Sequence, residues 1–286
     1  MNHEARQGRA ASRGEGRRRR DDSRPRQDGP REDQPREEEQ PRDGAIKQRL
    51  ITGVQPVREA LKAHGARVSE VWVQAEIPRL AGLVRLAEDS GSAVKLVARS
   101  ELDRAARGAQ HQGVLAWGPR FELQNWGRLL ETDMTLALAL DRIVDPQNFG
   151  AIVRSAVGLA RAPILWPEAA SAPLSPATFR ASAGAIEHAQ LCRVRSLPEA
   201  LFAAQEKGFG VVGLDGHATT TLTDVDLSVP TVIVLGSEGE GLGRAVRKAC
   251  TATARLSQDA VVDSLNASVA VALAIYEAQR QRAGHR

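Results

Sequence analysis

Short apolar runs alternate with helix-patterned stretches from Leu136 to the C-terminus, and this alternation constrains the fold more than any other feature of the chain. Residues 136–143, 164–166, 190–194, 211–214 and 232–235 read as strands, with 254–256 as a short one. Between them, 149–160, 198–206, 242–250 and 265–280 carry helical spacing. Ser175 followed by Pro176 marks one more helix start, a capping hydroxyl ahead of a residue that has no N–H to lose. Strand followed by helix, repeated, predicts an α/β domain with a parallel sheet and helices on both faces. Periodicity does not say how the strands are threaded.

Three turns in this region carry more chemistry than a connection needs. They are residues 145–154, with Asn148, Gly150 and Arg154; residues 236–241, with Gly236 and Glu238; and residues 264–268, with Ser264, Leu265 and Asn266. The first two follow strand-like runs and the third opens the last helix. Glycine has no Cβ, so backbone can approach a ligand closely. Asn and Ser supply caps at helix starts. One such turn is ordinary punctuation. Three in one domain predict a ligand site built mainly from loop backbone.

Residues 47–120 read as a separate small α/β unit. It has helices at 54–63, 79–88 and 101–106 (closed by Gly91 and capped by Ser100 in the last two cases) and strands at 68–73, 94–97 and 114–116. Residues 121–133 read as a linker with some helix, and 134–286 as the second domain. Residues 1–46, with four consecutive Arg from Arg17 and three Glu from Glu37, hold too little apolar surface to offset ordering entropy. They are expected to be a disordered charged tail, serving either as a basic arm toward a polyanion or as solvated chain. The 39 Lys+Arg against 35 Asp+Glu leave a net charge of +4, a mild bias toward polyanionic partners. Arg is favoured over Lys, which suits bidentate phosphate contacts as well as GC-rich coding.

Cys192 and Cys250 sit in apolar surroundings without metal or redox spacing, which fits a reducing compartment. No cluster has the spacing of a metal site, so no metal is expected. No apolar run reaches the ~18 residues of a membrane span, and the N-terminus has no signal-peptide core. No membrane partner and a cytoplasmic location are expected.

The three turns, in this order and spacing, resemble the motifs of the SpoU/TrmH branch of the SPOUT RNA methyltransferases, from Leu136 to the C-terminus. The stretch from Leu50 to Pro119, with residues 52–61 and His111-Gln112-Gly113-Val114, resembles the small, ribosomal-protein-like substrate-binding domain of large-subunit ribosomal RNA guanosine 2′-O-methyltransferases. The resemblance implies a trefoil-knotted C-terminal domain that binds S-adenosylmethionine and forms a homodimer. It implies ribosomal RNA as partner and a ribose 2′-hydroxyl as acceptor. By the same resemblance Asn148, Arg154, Glu238, Ser264 and Asn266 are the catalytic candidates, and Gly236, Leu256 and Leu265 line the cofactor. On residue chemistry alone, Asn148 is equally a helix cap, Arg154 a solvated helix face, Glu238 a helix-entry carboxylate, and Leu256 and Leu265 core leucines. A guanidinium hardly ever loses its proton, so Arg154 fits phosphate binding and electrostatic activation of the hydroxyl rather than simple base catalysis.

One segment departs from the family pattern. Where the family usually has Pro-Met-x-Gly before Ser-Leu-Asn, this chain has Ser257-Gln258-Asp259-Ala260. Losing Pro stiffness and Gly freedom changes the loop on the cofactor side. A catalytically idle RNA-binding or ribosome-assembly factor on the same fold is therefore the alternative from another class. Resistance-type and transfer-RNA methyltransferases are the alternatives within the class. A nucleotide-binding oxidoreductase lacks its G-x-G-x-x-G turn after the first strand.

Overall fold

A computed structural model describes residues 48–169, 171, 174–259 and 265–284. The charged tail, Ala260 and Ser264 lie outside the described residues. The described residues begin with a four-stranded mixed sheet: β1 (Gln48–Thr52), β2 (Glu70–Gln74), β3 (Ala93–Val97) and β4 (Val114–Pro119), in the order β1-β4-β2-β3. β4 pairs antiparallel with β1 and β2, and β2 pairs parallel with β3. Three helices join these strands: α1 (Val54–His64), α2 (Ala81–Asp89) and α3 (Arg99–Ala106). β1 gives no strand signal in the sequence because it buries just one residue, Ile51. Ser100 does not cap α3. The helix starts at Arg99, and Glu101 Oε2 accepts the Ala98 N–H at 3.1 Å.

The second half is a parallel six-stranded sheet: β5 (Leu136–Leu140), β6 (Ile164–Pro167), β7 (Leu191–Val194), β8 (Gly210–Leu214), β9 (Thr231–Leu235) and β10 (Ala252–Ala254). Every residue of β5 and β9 is buried, as continuous apolar runs demand when helices cover both faces. The order is β10-β8-β9-β5-β6-β7. From β5 the chain steps outward through β6 to β7, crosses the sheet to β8, and returns to place β9 beside β5. The strand order therefore reverses between β5 and β9. Open α/β sheets bind ligands in the crevice at the carboxyl ends of strands at such a reversal. The fold alone thus nominates the turns after β5 and β9.

Between the sheets runs a short helix, α4 (Trp126–Leu129); the C-terminal half adds α5 (Pro146–Leu159), α6 (Pro176–Ala181), α7 (Leu197–Glu206), α8 (Arg244–Lys248) and α9 (Ala267–Gly284). α5 is positioned by its core face: Phe149, Ile152, Val153 and Ala156 are fully buried, with Phe149 edge-on to Trp166 at 5.2 Å between ring centroids. Burying that phenylalanine contributes about 2 kcal/mol. The expected linker is strapped down. Trp126 is buried and its Nε1–H donates to the Ala200 carbonyl at 2.9 Å, while the Gln124 N–H reaches the Leu191 carbonyl at 2.7 Å. The described residues form one compact unit in which α1 packs on a 3-10 turn, Ala185–His188, of the C-terminal half.

Candidate functional site

Helix α5 begins differently from the expectation that Asn148 caps it. Asp145 is the N-cap, Pro146 takes the first helical position, and the Asp145 carboxylate accepts the N–H groups of Gln147 (3.1 Å) and Asn148 (3.2 Å). The Asn148 side chain is thereby released from capping. Its Nδ2 donates to Glu238 Oε1 at 3.0 Å, and its Oδ1 accepts from Asn266 Nδ2 at 2.8 Å.

Asn266 is both a cap and a member of this cluster. Its Oδ1 accepts the Ser268 N–H at 2.9 Å and the Ser268 hydroxyl at 2.6 Å at the start of α9. Two donors on the oxygen fix the amide orientation and turn Nδ2 toward Asn148 and, at 3.2 Å, Glu238 Oε1. Glu238 Oε1 also accepts the Ala267 N–H at 3.3 Å. A carboxylate at a helix start is favoured by the dipole, so Glu238 has the expected helix-entry role, but toward α9 instead of α8. Among the described residues its second oxygen, Oε2, accepts no hydrogen bond. Three turns separated by 90 and 28 residues thus close into one exposed polar cluster.

The turn after β9 is held by groups that the sequence does not announce. Asp141, buried at the end of β5, accepts the Gly243 N–H at 2.6 Å. Arg142 ion-pairs with Glu240 and donates to the Gly241 carbonyl at 3.0 Å. The one available signal is a charged pair placed directly after an apolar strand. Gly236 is buried, and a Cβ there would sit 2.2 Å from the Gly241 carbonyl carbon. Its lack of a side chain is thus explained by the turn folding back on itself, with Gly241 N bonded to Ser237 O at 2.9 Å.

Arg154 is not brought into the cluster. It is exposed on α5 and has no ion-pair or hydrogen-bond partner among the described residues. Six residues separate it from Asn148, roughly 9 Å along the helix axis and on another face. Leu256 is half-buried against the main core beyond β10, and Leu265 is half-buried immediately before Asn266. β10, β8 and β9 are neighbours, so Leu256 and Gly236 follow the carboxyl ends of strands on the same stretch of sheet rim. Among the described residues no group of acidic, His and Cys side chains is arranged to hold a metal ion. Burial pushes the thiols up, Cys192 to about 12 and Cys250 to about 11, so neither is a nucleophile at neutral pH.

Comparison with known proteins identifies the family of the chain. The family model described as the SpoU rRNA Methylase family matches residues 135–276, and that described as RNA 2'-O ribose methyltransferase substrate binding matches residues 50–122. An uncharacterized tRNA/rRNA methyltransferase of Mycolicibacterium vanbaalenii is 36% identical over 241 residues, covering 82% of this chain and 76% of its own. The 23S rRNA (guanosine-2'-O-)-methyltransferase RlmB of Shewanella oneidensis is 34% identical over 242 residues, 82% of this chain and 98% of the relative. Among solved structures, the SpoU methyltransferase AviRb of Streptomyces viridochromogenes superposes with a TM-score of 0.69 at 25% identity, covering 84% of this chain and 91% of that one. AviRb has also been solved in complex with the cofactor AdoMet, and that structure shares the fold at 24% identity and a TM-score of 0.69 over 84% of this chain and 92% of that one.

Proposed function

The chain belongs to the SpoU rRNA methylase family, and from that premise we propose that it methylates a ribose 2′-hydroxyl of a guanosine in 23S ribosomal RNA, with S-adenosylmethionine as donor. Family membership makes it an RNA methyltransferase; the target nucleotide and the residue roles are the proposal. The observation that carries it is the meeting of Asn148, Glu238 and Asn266 where β5 and β9 end.

The turns fit the donor. They offer backbone groups, glycine and half-buried leucine, which suit an adenosine and a short aliphatic chain better than a phosphate or a metal would be suited. Gly236, Leu256 and Leu265 are assigned to hold it. The donor supplies a methyl group on a sulfonium, an electrophile that needs no metal. The protein's work is to place a 2′-oxygen in line and stabilise the loss of its proton. Asn148 and Asn266, locked in orientation by their mutual bond and by Ser268, present fixed amide dipoles. Glu238 Oε2, without a hydrogen bond among the described residues, can accept a hydrogen bond from the ribose hydroxyl. Arg154, charged and without an ion-pair partner among the described residues, is assigned to an RNA phosphate, where it lowers the cost of the developing alkoxide. Ser264 is assigned to the acceptor side by resemblance alone.

The small domain is assigned to RNA recognition. It carries a cleft of about 550 Å³ lined by Arg79, Arg99, Gln110 and His111, large enough for a nucleotide. Arg79 and Arg99 are exposed there and suited to phosphate. A homodimer through the C-terminal half is also proposed. α9 buries Val271 and Ile275 but leaves Val269, Leu273 and Tyr276 exposed at 46%, 45% and 63%, spaced i, i+4, i+7 as one apolar stripe. A monomeric mass by light scattering at micromolar concentration contradicts the dimer. The trefoil knot belongs to the same reading and rests on the family resemblance.

Mapping ribose methylation in 23S RNA from a deletion strain, then restoring the mark in vitro with purified protein and S-adenosylmethionine, tests the function. One lost and restored guanosine mark is expected. An unchanged map, together with no donor binding by calorimetry, favours the idle scaffold that the 257–260 departure leaves open.

A further inference from the structure

We propose that Glu187 and Gly184 are positioning residues for methyl transfer: the segment Pro176 to His188 couples the small domain to the helix that carries Asn148 and Arg154, and so sets where bound RNA is presented. This rests on the reading that the small domain grips RNA.

The segment makes a backbone-close contact at each end. At one end it meets α1. Gly184 has φ +87°, and a Cβ there would lie 2.9 Å from Pro56 Cα, 3.0 Å from Glu59 Cβ and 3.1 Å from the Gln55 carbonyl. At the other end α6 meets α5 at Gly150, where a Cβ would lie 2.5 Å from both Ala181 Cβ and the Thr178 carbonyl, and 3.0 Å from Ser182 N. Asn148 is two residues before that contact and Arg154 four after it. Two glycine contacts in series leave no slack, because close-packed backbone transmits displacement instead of absorbing it.

Ionic groups fix the rotation about this contact. The Glu187 side chain is 1% exposed and ion-pairs with Arg49 of β1. It also accepts from His64 Nε2 at 2.9 Å. Arg67 donates to His64 Nδ1 at 3.0 Å, which sets the tautomer that keeps the proton on Nε2. Beside it His188 Nε2 meets Glu59 Oε2 at 2.9 Å. The Arg49 guanidinium lies 4.1 Å from the Phe121 ring centroid and 5.4 Å from that of Phe179 on α6. One carboxylate of the C-terminal half therefore holds two elements of the small domain, and an aromatic pair from linker and α6 backs the arginine. Buried charge of this kind is weak evidence for stability and better suited to specifying a single geometry. None of these groups touches the Asn148–Glu238–Asn266 cluster, so their effect on the reaction runs through position.

The test uses full-length protein with Glu187→Gln, which keeps shape and removes charge, and Gly184→Ala, which keeps charge and pushes α1 away. Thermal melts establish folding. Single-turnover methylation of a large-subunit RNA fragment is measured with RNA KM, donor Kd by calorimetry, and the site of the mark. For both variants donor Kd and RNA KM are expected near wild type. The methylation rate at the proper ribose should fall about tenfold or more, since misplacement by an ångström is enough. Marks should also spread to neighbouring riboses. Folded variants with wild-type rate and site selectivity overturn the proposal, as does a loss confined to donor Kd, which means distortion of the C-terminal half instead. If Gly184→Ala does not fold, Arg49→Met reads the same contact from the other side. A wild-type protein that methylates no RNA overturns the parent reading and this one with it; an active wild type with indifferent variants overturns only this one.

Discussion

Two polar clusters organise this molecule, and they differ in exposure and in what they leave unsatisfied. At the sheet rim Asn148, Glu238 and Asn266 form an open cluster in which, among the described residues, the carboxylate keeps one oxygen without a hydrogen bond. At the domain boundary Glu187 is sealed, with an arginine and a histidine on it. Both clusters join parts of the chain far apart in sequence. The open one holds hydrogen-bonding capacity in reserve at the strand reversal, which is what a transfer reaction needs. The sealed one spends its capacity on geometry. On the proposed reading chemistry and alignment are housed separately, and a variant in one cluster should leave a different kinetic trace from a variant in the other.

The largest expected effect lies on α5, beyond the open cluster. Arg154→Ala should lower single-turnover methylation by about 10²–10³-fold, as for loss of one electrostatic stabiliser, while donor Kd stays near wild type. Arg154→Lys should also be poor, since an ammonium lacks the planar fork. Near-normal rates in either variant remove Arg154 from the chemistry. Glu238→Gln comes next. The amide can still accept from Asn148 and Ala267, but it carries no charge for the α9 start or the ribose hydroxyl. Turnover should fall about tenfold, with a stability loss of about 1 kcal/mol by denaturant titration. A rate loss without any stability loss breaks the idea that Glu238 serves helix and substrate together.

The two clusters also differ in how far sequence reveals them. Asn148, Glu238 and Asn266 stand in turns whose composition is local and unusual, so their motifs, and the parallel sheet around them, are legible in the order of the amino acids. The role of Asn148 is not, because Asp145 and Asn148 are both good caps and only the backbone decides which one is used. Arg49, His64, Glu187 and His188 are common residues in strand, helix and 3-10 turn, without a spacing rule. Their meeting is a property of tertiary packing. β1 escapes detection for a related reason, since a strand with one buried residue has no alternation to detect. The linker reads as loose because Trp126 and Phe121 find their partners at a distance in the chain, in the C-terminal half and in β1.

Gly236→Ala separates two explanations for one glycine. Sequence reasoning keeps the position bare for a ligand, whereas the fold keeps it bare for the Gly241–Leu242 backbone. If the fold is right, the substitution should cost about 1–3 kcal/mol even without donor, as overpacking does. A variant with unchanged stability but weakened donor binding returns the glycine to ligand clearance.

The smallest effect concerns acid and the sealed region. Burial alone pushes Glu59 up, but the hydrogen bonds and charges of Lys62 and His188 outweigh it and hold the carboxyl below its ordinary 4.5. Gln55 Nε2 at 2.8 Å and Lys62 Nζ at 2.9 Å share its Oε1, and His188 takes its Oε2. A carboxyl depressed on folding stabilises the folded state above its unfolded pKa, and that contribution is lost as pH falls through the folded value. The contact between α1 and the 3-10 turn should therefore loosen below about pH 4.5 and not above it. Glu59→Gln should flatten the fall in melting temperature between about pH 6 and pH 3.5. Equal slopes for wild type and Glu59→Gln show that Glu59 contributes nothing pH-dependent there.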